Sequence, residues 1–85
     1  MNSIDWTKKA VKQLRKISRP QQPVILSAVD ALADWPNTAN VKKLTNHAYP
    51  YRLRVGNYRV FFSTENGDVC IIKIEEVKKR DEQTY

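Results

Sequence analysis

The sequence predicts an α+β fold: an N-terminal strand, a helical hairpin, and a small, mostly antiparallel sheet that the helices cover on one face. Three observations predict it. Residues 51–62, YRLRVGNYRVFF, alternate arginines with apolar side chains at the two-residue period of a strand and break at Gly56-Asn57. Upstream, two segments repeat apolar residues at spacings of three and four, the period of a helix that buries one stripe. Downstream, Asn66-Gly67 is a strong hairpin signal, because the pair tolerates positive φ in a tight turn, and the apolar run VCII follows it. The order is strand, helix, helix, strand, strand, strand, in one domain spanning residues 1–85. No internal repeat, low-complexity tract, Gly-rich phosphate loop or linker interrupts it.

Taken in order, Asn2 to Trp6 read as a short strand with Ile4 and Trp6 alternating, and Thr7 is the expected N-cap of the helix TKKAVKQLRKIS. Ala10, Val11, Leu14 and Ile17 form its apolar stripe. Lys8, Lys9, Lys12, Gln13, Arg15 and Lys16 fill the rest, so every charge on the polar face is positive. That face is either solvated or a second contact for nucleic acid or an acidic partner. The Arg19–Pro23 segment ends the pattern, and prolines fit a first helical turn whose N–H groups lack intrahelical partners. A second helix is expected from near Pro20–Pro23 to about Asp34, with Ile25, Val29 and Leu32, joined by Leu26, Ala28 and Ala33, on its buried side. Trp35-Pro36-Asn37 stops it. The short connection predicts an antiparallel helical hairpin.

Thr38 to Pro50 lacks a sustained period and reads as a loop anchored by Val41 and Leu44. Two strands follow from Tyr51. The last strand, Val69 to about Val77, opens as an uninterrupted apolar run, as expected of a central strand covered on both sides, and then turns charged.

Fifteen Lys and Arg against nine Asp and Glu give a net charge of +6 on 85 residues. Such a balance points to a polyanionic partner (nucleic acid, a membrane surface or an acidic protein), or to a surface that only maintains solubility. The single cysteine, Cys70, excludes an intramolecular disulfide and a Cys-rich metal site, and its apolar setting predicts a buried small side chain. The single histidine, His47, excludes a histidine metal cluster or a pair of catalytic histidines; it is expected in a surface loop, with contact to substrate as the alternative. No cofactor or metal is implied. No window approaches the roughly 18 apolar residues of a membrane span and the N-terminus lacks an apolar signal core, so the cytoplasm is the default compartment.

On the face opposite the helices, Arg52, Arg54 and Arg59 offer planar donors for phosphate, and Phe61 an aromatic surface for a base. Tyr58 alternates with Val60 and is expected in the core. Salt bridges from Glu65, Asp68, Glu75 or Glu76 are the competing explanation for the arginines. Arg80 and Tyr85, just past the last strand, are close enough in sequence to fold over the rim of this face.

Through YRLRVGNYRVFF, the turn NGD and the ending VKKRDEQTY, practically the whole chain resembles the RelE family within the RelE/ParE superfamily of bacterial type II toxins, of β-α-α-β-β-β order. The resemblance implies a metal-independent, ribosome-dependent endoribonuclease that cuts mRNA in the A site of the 70S ribosome, near 16S rRNA, until a cognate antitoxin neutralises it. Operator DNA would be a further partner through the antitoxin complex. By matched position, Arg59, Arg80 and Tyr85 would be catalytic and Arg52 and Arg54 would bind substrate; Phe61 and Lys79, beside them, are expected to bind substrate as well. The two positions taken here by Arg52 and Arg54 are often lysine in RelE, and arginine scarcely deprotonates. Proton abstraction from the 2′-OH would then fall to Tyr85, a phenol of ordinary pKa about 10 that surrounding cations lower. Arg80 or Arg59 would bind the phosphate and assist the leaving oxygen. Two other readings stay open: a ParE-like inhibitor of DNA gyrase without chemistry, and a non-catalytic nucleic-acid-binding module.

Overall fold

The computed structural model describes residues 2–67 and 69–79. Its elements are β1 (Ser3–Trp6), α1 (Lys8–Arg15), α2 (Gln22–Asp30) with a 3₁₀ turn over Ala31–Asp34, β2 (Val41–Lys43), β3 (Tyr51–Val55), β4 (Tyr58–Glu65) and β5 (Ile71–Lys79). The five strands form one sheet in the order β1-β5-β4-β3-β2; β1 runs parallel to β5 and every other pair is antiparallel.

Residue chemistry accounts for the boundaries. Thr7 caps α1 as expected, its hydroxyl accepting from the Ala10 N–H at 3.2 Å. The same hydroxyl donates to the Ile74 carbonyl at 2.7 Å, so the helix start is fixed to β5 at the point where β1 ends. Pro23 occupies the first turn of α2. The helix tightens into the 3₁₀ turn before Trp35-Pro36, and Asn2 holds that end by donating through its amide to the Leu32 and Trp35 carbonyls at 3.1 and 2.6 Å. Gly56 has φ +56°, while Asn57 is not in the left-handed region, which is the pattern of a tight hairpin with glycine at its first central position. An added Cβ there would meet nothing within 4 Å, so backbone conformation and not space demands the glycine.

One side of the sheet makes the core. Leu53, Val55, Val60, Phe62, Ile72, Ile74 and Val77 pack against Ala10 and Leu14 of α1, and against Ile25, Val29 and Leu32. Tyr58 is half-buried against this cluster. Trp35 meets Tyr51 and Phe62 edge-on at centroid distances of 5.0 and 6.2 Å, closing the core beneath the end of the second helix. Helix α1 lies along β5, and α2 leans on β3.

Three expectations are corrected. The Thr38–Pro50 segment is not all loop: Val41–Lys43 is an edge strand paired with β3, too short to show a period, with only Val41 half-buried. The VCII run is divided, with Val69 53% exposed before β5 begins and Cys70 half-buried at the core's margin. Leu26, expected inside, is 40% exposed, because α2 turns Ile25 and Val29 inward. Among the described residues, no helix is long and apolar enough to cross a membrane.

Candidate functional site

The side of the sheet away from the helices carries the charge. Residues directly opposite one another across antiparallel strands share a face, so register defines the site. One row crosses β2 to β5 as Lys42, Arg52, Phe61 and Glu76. The neighbouring row crosses β3 to β5 as Arg54, Arg59 and Lys78. Strands lie about 4.8 Å apart, which sets these cations side by side.

A β-bulge decides which β5 residues join. Phe61 pairs with Glu76 but Phe62 pairs with Ile74, leaving Glu75 as the extra residue. Beyond the bulge the alternation inverts, so Val77 turns into the core and Glu76 and Lys78 turn out. Lys79, predicted to bind substrate, therefore stands in register with Tyr58 on the helix side, lining a groove with Gln13, Lys16, Ser18 and Tyr58. Lys78 takes the place beside Arg59.

Among the described residues, the acidic side chains do not neutralise Arg52 or Arg54. Glu65 pairs with Lys73 at 3.2 Å, and Glu75 accepts from the Ser63 hydroxyl at 3.0 Å. Glu76 is buried; its Oε1 forms ion pairs with Lys9 and Lys78 at 3.6 and 3.4 Å and accepts from the Gln13 amide at 3.4 Å. Burial pushes its carboxyl up, but Lys78, Lys9 and the Gln13 amide outweigh that and hold it below the ordinary 4.5. Gln13 also accepts from the Val77 N–H at 2.6 Å, satisfying the edge of β5 that β1 does not reach. Arg54 is exposed, and Arg52 and Arg59 are half-buried. The Nε of Arg52 is buried with no hydrogen-bond partner.

Phe61 lies among the arginines as predicted, but only 7% of its surface is exposed. The loop between β2 and β3 covers it. The exposed His47 ring stacks on Phe61 at 4.9 Å and 17°, and Tyr49 tilts against both. His47 thus belongs to this face, as do Lys42, Lys78 and Glu76. Sequence reasoning missed Lys42 because β2 has no pattern, and Lys78 because nothing signals the bulge. Arg80 and Tyr85 lie outside the described residues, as does Asp68 of the expected turn.

Comparison with solved structures finds the same fold among RelE-RelB toxin-antitoxin complexes. Over 95% of this chain and 97% of the other, a chain of the archaeal RelE-RelB complex from Pyrococcus horikoshii OT3 matches with TM-score 0.75 and 29% identity. The toxin-antitoxin complex RelBE2 from Mycobacterium tuberculosis matches with TM-score 0.79 and 20% identity over 93% and 98% of the two chains. The RelB-RelE complex from Methanococcus jannaschii matches with TM-score 0.65 and 24% identity over 88% of each. These last two show the fold alone. A family model described as the ParE toxin of the type II toxin-antitoxin system parDE matches residues 4–83, and the chain belongs to that family. No curated protein matches the sequence.

Proposed function

We propose that this toxin is a ribosome-dependent mRNA endonuclease. The observation that carries the reading is the row Arg54, Arg59 and Lys78, with Arg52 and Lys42 in the next row, on a face the protein's own helices leave open. Arg52 and Arg54 have no carboxylate partner among the described residues, and a phosphodiester is an anion with bidentate geometry for guanidinium.

In the reaction the 2′-oxygen attacks the adjacent phosphorus, the P–O5′ bond breaks, and the 2′-OH proton is lost while the leaving 5′-oxygen gains one. Arg59, flanked by Arg54 and Lys78, stabilises the charge that accumulates on the pentavalent phosphate. Arg52 holds a neighbouring phosphate. Proton abstraction is assigned to Tyr85 and support of the leaving oxygen to Arg80, on the resemblance of the ending to RelE. A site of guanidiniums without a histidine-carboxylate pair is slow on free RNA, and the ribosome supplies the rate by positioning the message. No metal or cofactor is assigned a role, and the site of action is the cytoplasm.

The neutralising partner is an antitoxin with an acidic or amphipathic segment that covers the cationic face; the similar structures are toxin-antitoxin complexes, which supports an antitoxin partner. A ParE-like block of DNA gyrase is the second reading, favoured by the name of the matching family. Coupled transcription-translation assayed beside gyrase supercoiling separates the two. Cleavage within A-site codons with supercoiling intact supports the nuclease; intact message with supercoiling blocked refutes it.

A further inference from the structure

The covered phenylalanine leads to a subsite of the same face. Phe61 is buried, yet the ring lying on it, His47, is exposed and nearly parallel at 17°. One side of the imidazole is taken by Phe61. Tyr49 flanks the stack, its ring 6.0 Å from His47 and 5.9 Å from Phe61. The orientation of His47 is fixed: its Nδ1 accepts from the Tyr49 N–H at 3.1 Å. With Nδ1 used as acceptor, the neutral ring carries its hydrogen on Nε2, so that atom donates and does not abstract a proton.

Arg52 is the direct cross-strand neighbour of Phe61, and Lys42 that of Arg52. Arg52 is half-buried, with its Nε enclosed, so the guanidinium is held beside Phe61 instead of ranging through solvent. An aromatic shelf thus adjoins the cations Arg52 and Lys42. Single-stranded RNA has both complements, a flat base and a phosphate one nucleotide unit apart.

We propose that the Phe61-His47 stack, flanked by Tyr49, is a nucleobase platform: an unpaired base of the bound RNA lies on the outer face of His47 while its phosphate engages Arg52 and Lys42. The proposal rests on the mRNA reading above and assigns His47 to substrate positioning, not proton transfer. It also accounts for the buried Phe61, which supports the platform from beneath.

The test uses ribosomes programmed with an mRNA carrying the fluorescent base 2-aminopurine in the A-site codon, with wild-type protein, His47→Ala, His47→Phe and Arg52→Ala, each checked for an unchanged thermal midpoint. Stacking quenches the probe. Wild type quenches it and cleaves; His47→Ala loses the quench and raises KM roughly five- to a hundredfold with a smaller change in kcat. His47→Phe restores both, because a phenyl ring stacks without donating. Arg52→Ala weakens binding and keeps the quench at saturation. Equal quench and equal KM in His47→Ala and wild type overturn the platform while leaving the nuclease reading intact. A wild type that neither quenches nor cleaves overturns both. Normal RNA behaviour in His47→Ala with weakened neutralisation by the antitoxin assigns the shelf to a protein partner and also overturns the proposal.

Discussion

The two sides of this sheet are made by the same residues' neighbours in sequence, yet they obey different rules. On the helix side, Leu53, Val60, Phe62, Ile72 and Ile74 are buried, and their positions are set by the volume they fill. On the open side, Arg52, Arg54, Arg59 and Lys78 gain nothing from one another and stand in adjacent rows despite repulsion. The first side holds the fold. The second is held by it, and Arg52 and Arg54 stand there without a carboxylate partner among the described residues.

The comparison makes graded predictions. The largest change in stability is expected from Phe62→Ala, which opens a cavity beside Trp35 and Tyr51 and costs about 3–5 kcal/mol. For an 85-residue domain that is a large share of the whole, read as a lowered denaturant midpoint. Gln13→Ala comes next, since it strips the acceptor from the Val77 N–H and a donor from Glu76; about 1–3 kcal/mol is lost in the same measurement.

Glu76 sets a pH dependence between the two sides. Its folded-state pKa is lowered below the ordinary 4.5, so its stabilisation is full above that value and is lost as pH falls through the folded value. Glu76→Gln flattens this acid limb, which midpoints measured from pH 6 downward report. The smallest effect belongs to Arg54→Ala. Facing Arg59 directly, Arg54 contributes repulsion, and its removal leaves stability unchanged or raises it by a few tenths of a kcal/mol, about 0.2–1 at most. A loss of several kcal/mol there would erase the distinction between the sides.

How far the sequence revealed each side follows from the same contrast. Burial leaves a period, so the β3-β4 hairpin, the Thr7 cap, the stripe of α1 and the buried Ile25, Val29 and Leu32 were legible from residue order, while Leu26 was misplaced. The charged side depends on register between distant segments. Nothing in Glu75-Glu76 announces the bulge that turns Lys78 outward and Lys79 to the helix side. Three residues of β2 are too few to show alternation, so Lys42 was hidden in a loop. His47 reached the site through a loop closed by the Leu44 N–H donating to the Pro50 carbonyl at 2.8 Å and by stacking on a residue fourteen positions away, a contact without local signature. The arginines were legible as a group; their company was not.

The central claim, that the open side acts on RNA while contributing little to folding, meets its most direct test in one variant measured twice. Arg59→Ala is compared with wild type for cleavage of mRNA on programmed ribosomes and for its denaturant midpoint. In Arg59→Ala, cleavage falls by about a hundredfold or more while the midpoint stays nearly unchanged. Undiminished cleavage by Arg59→Ala, at an equally unchanged midpoint, would contradict it.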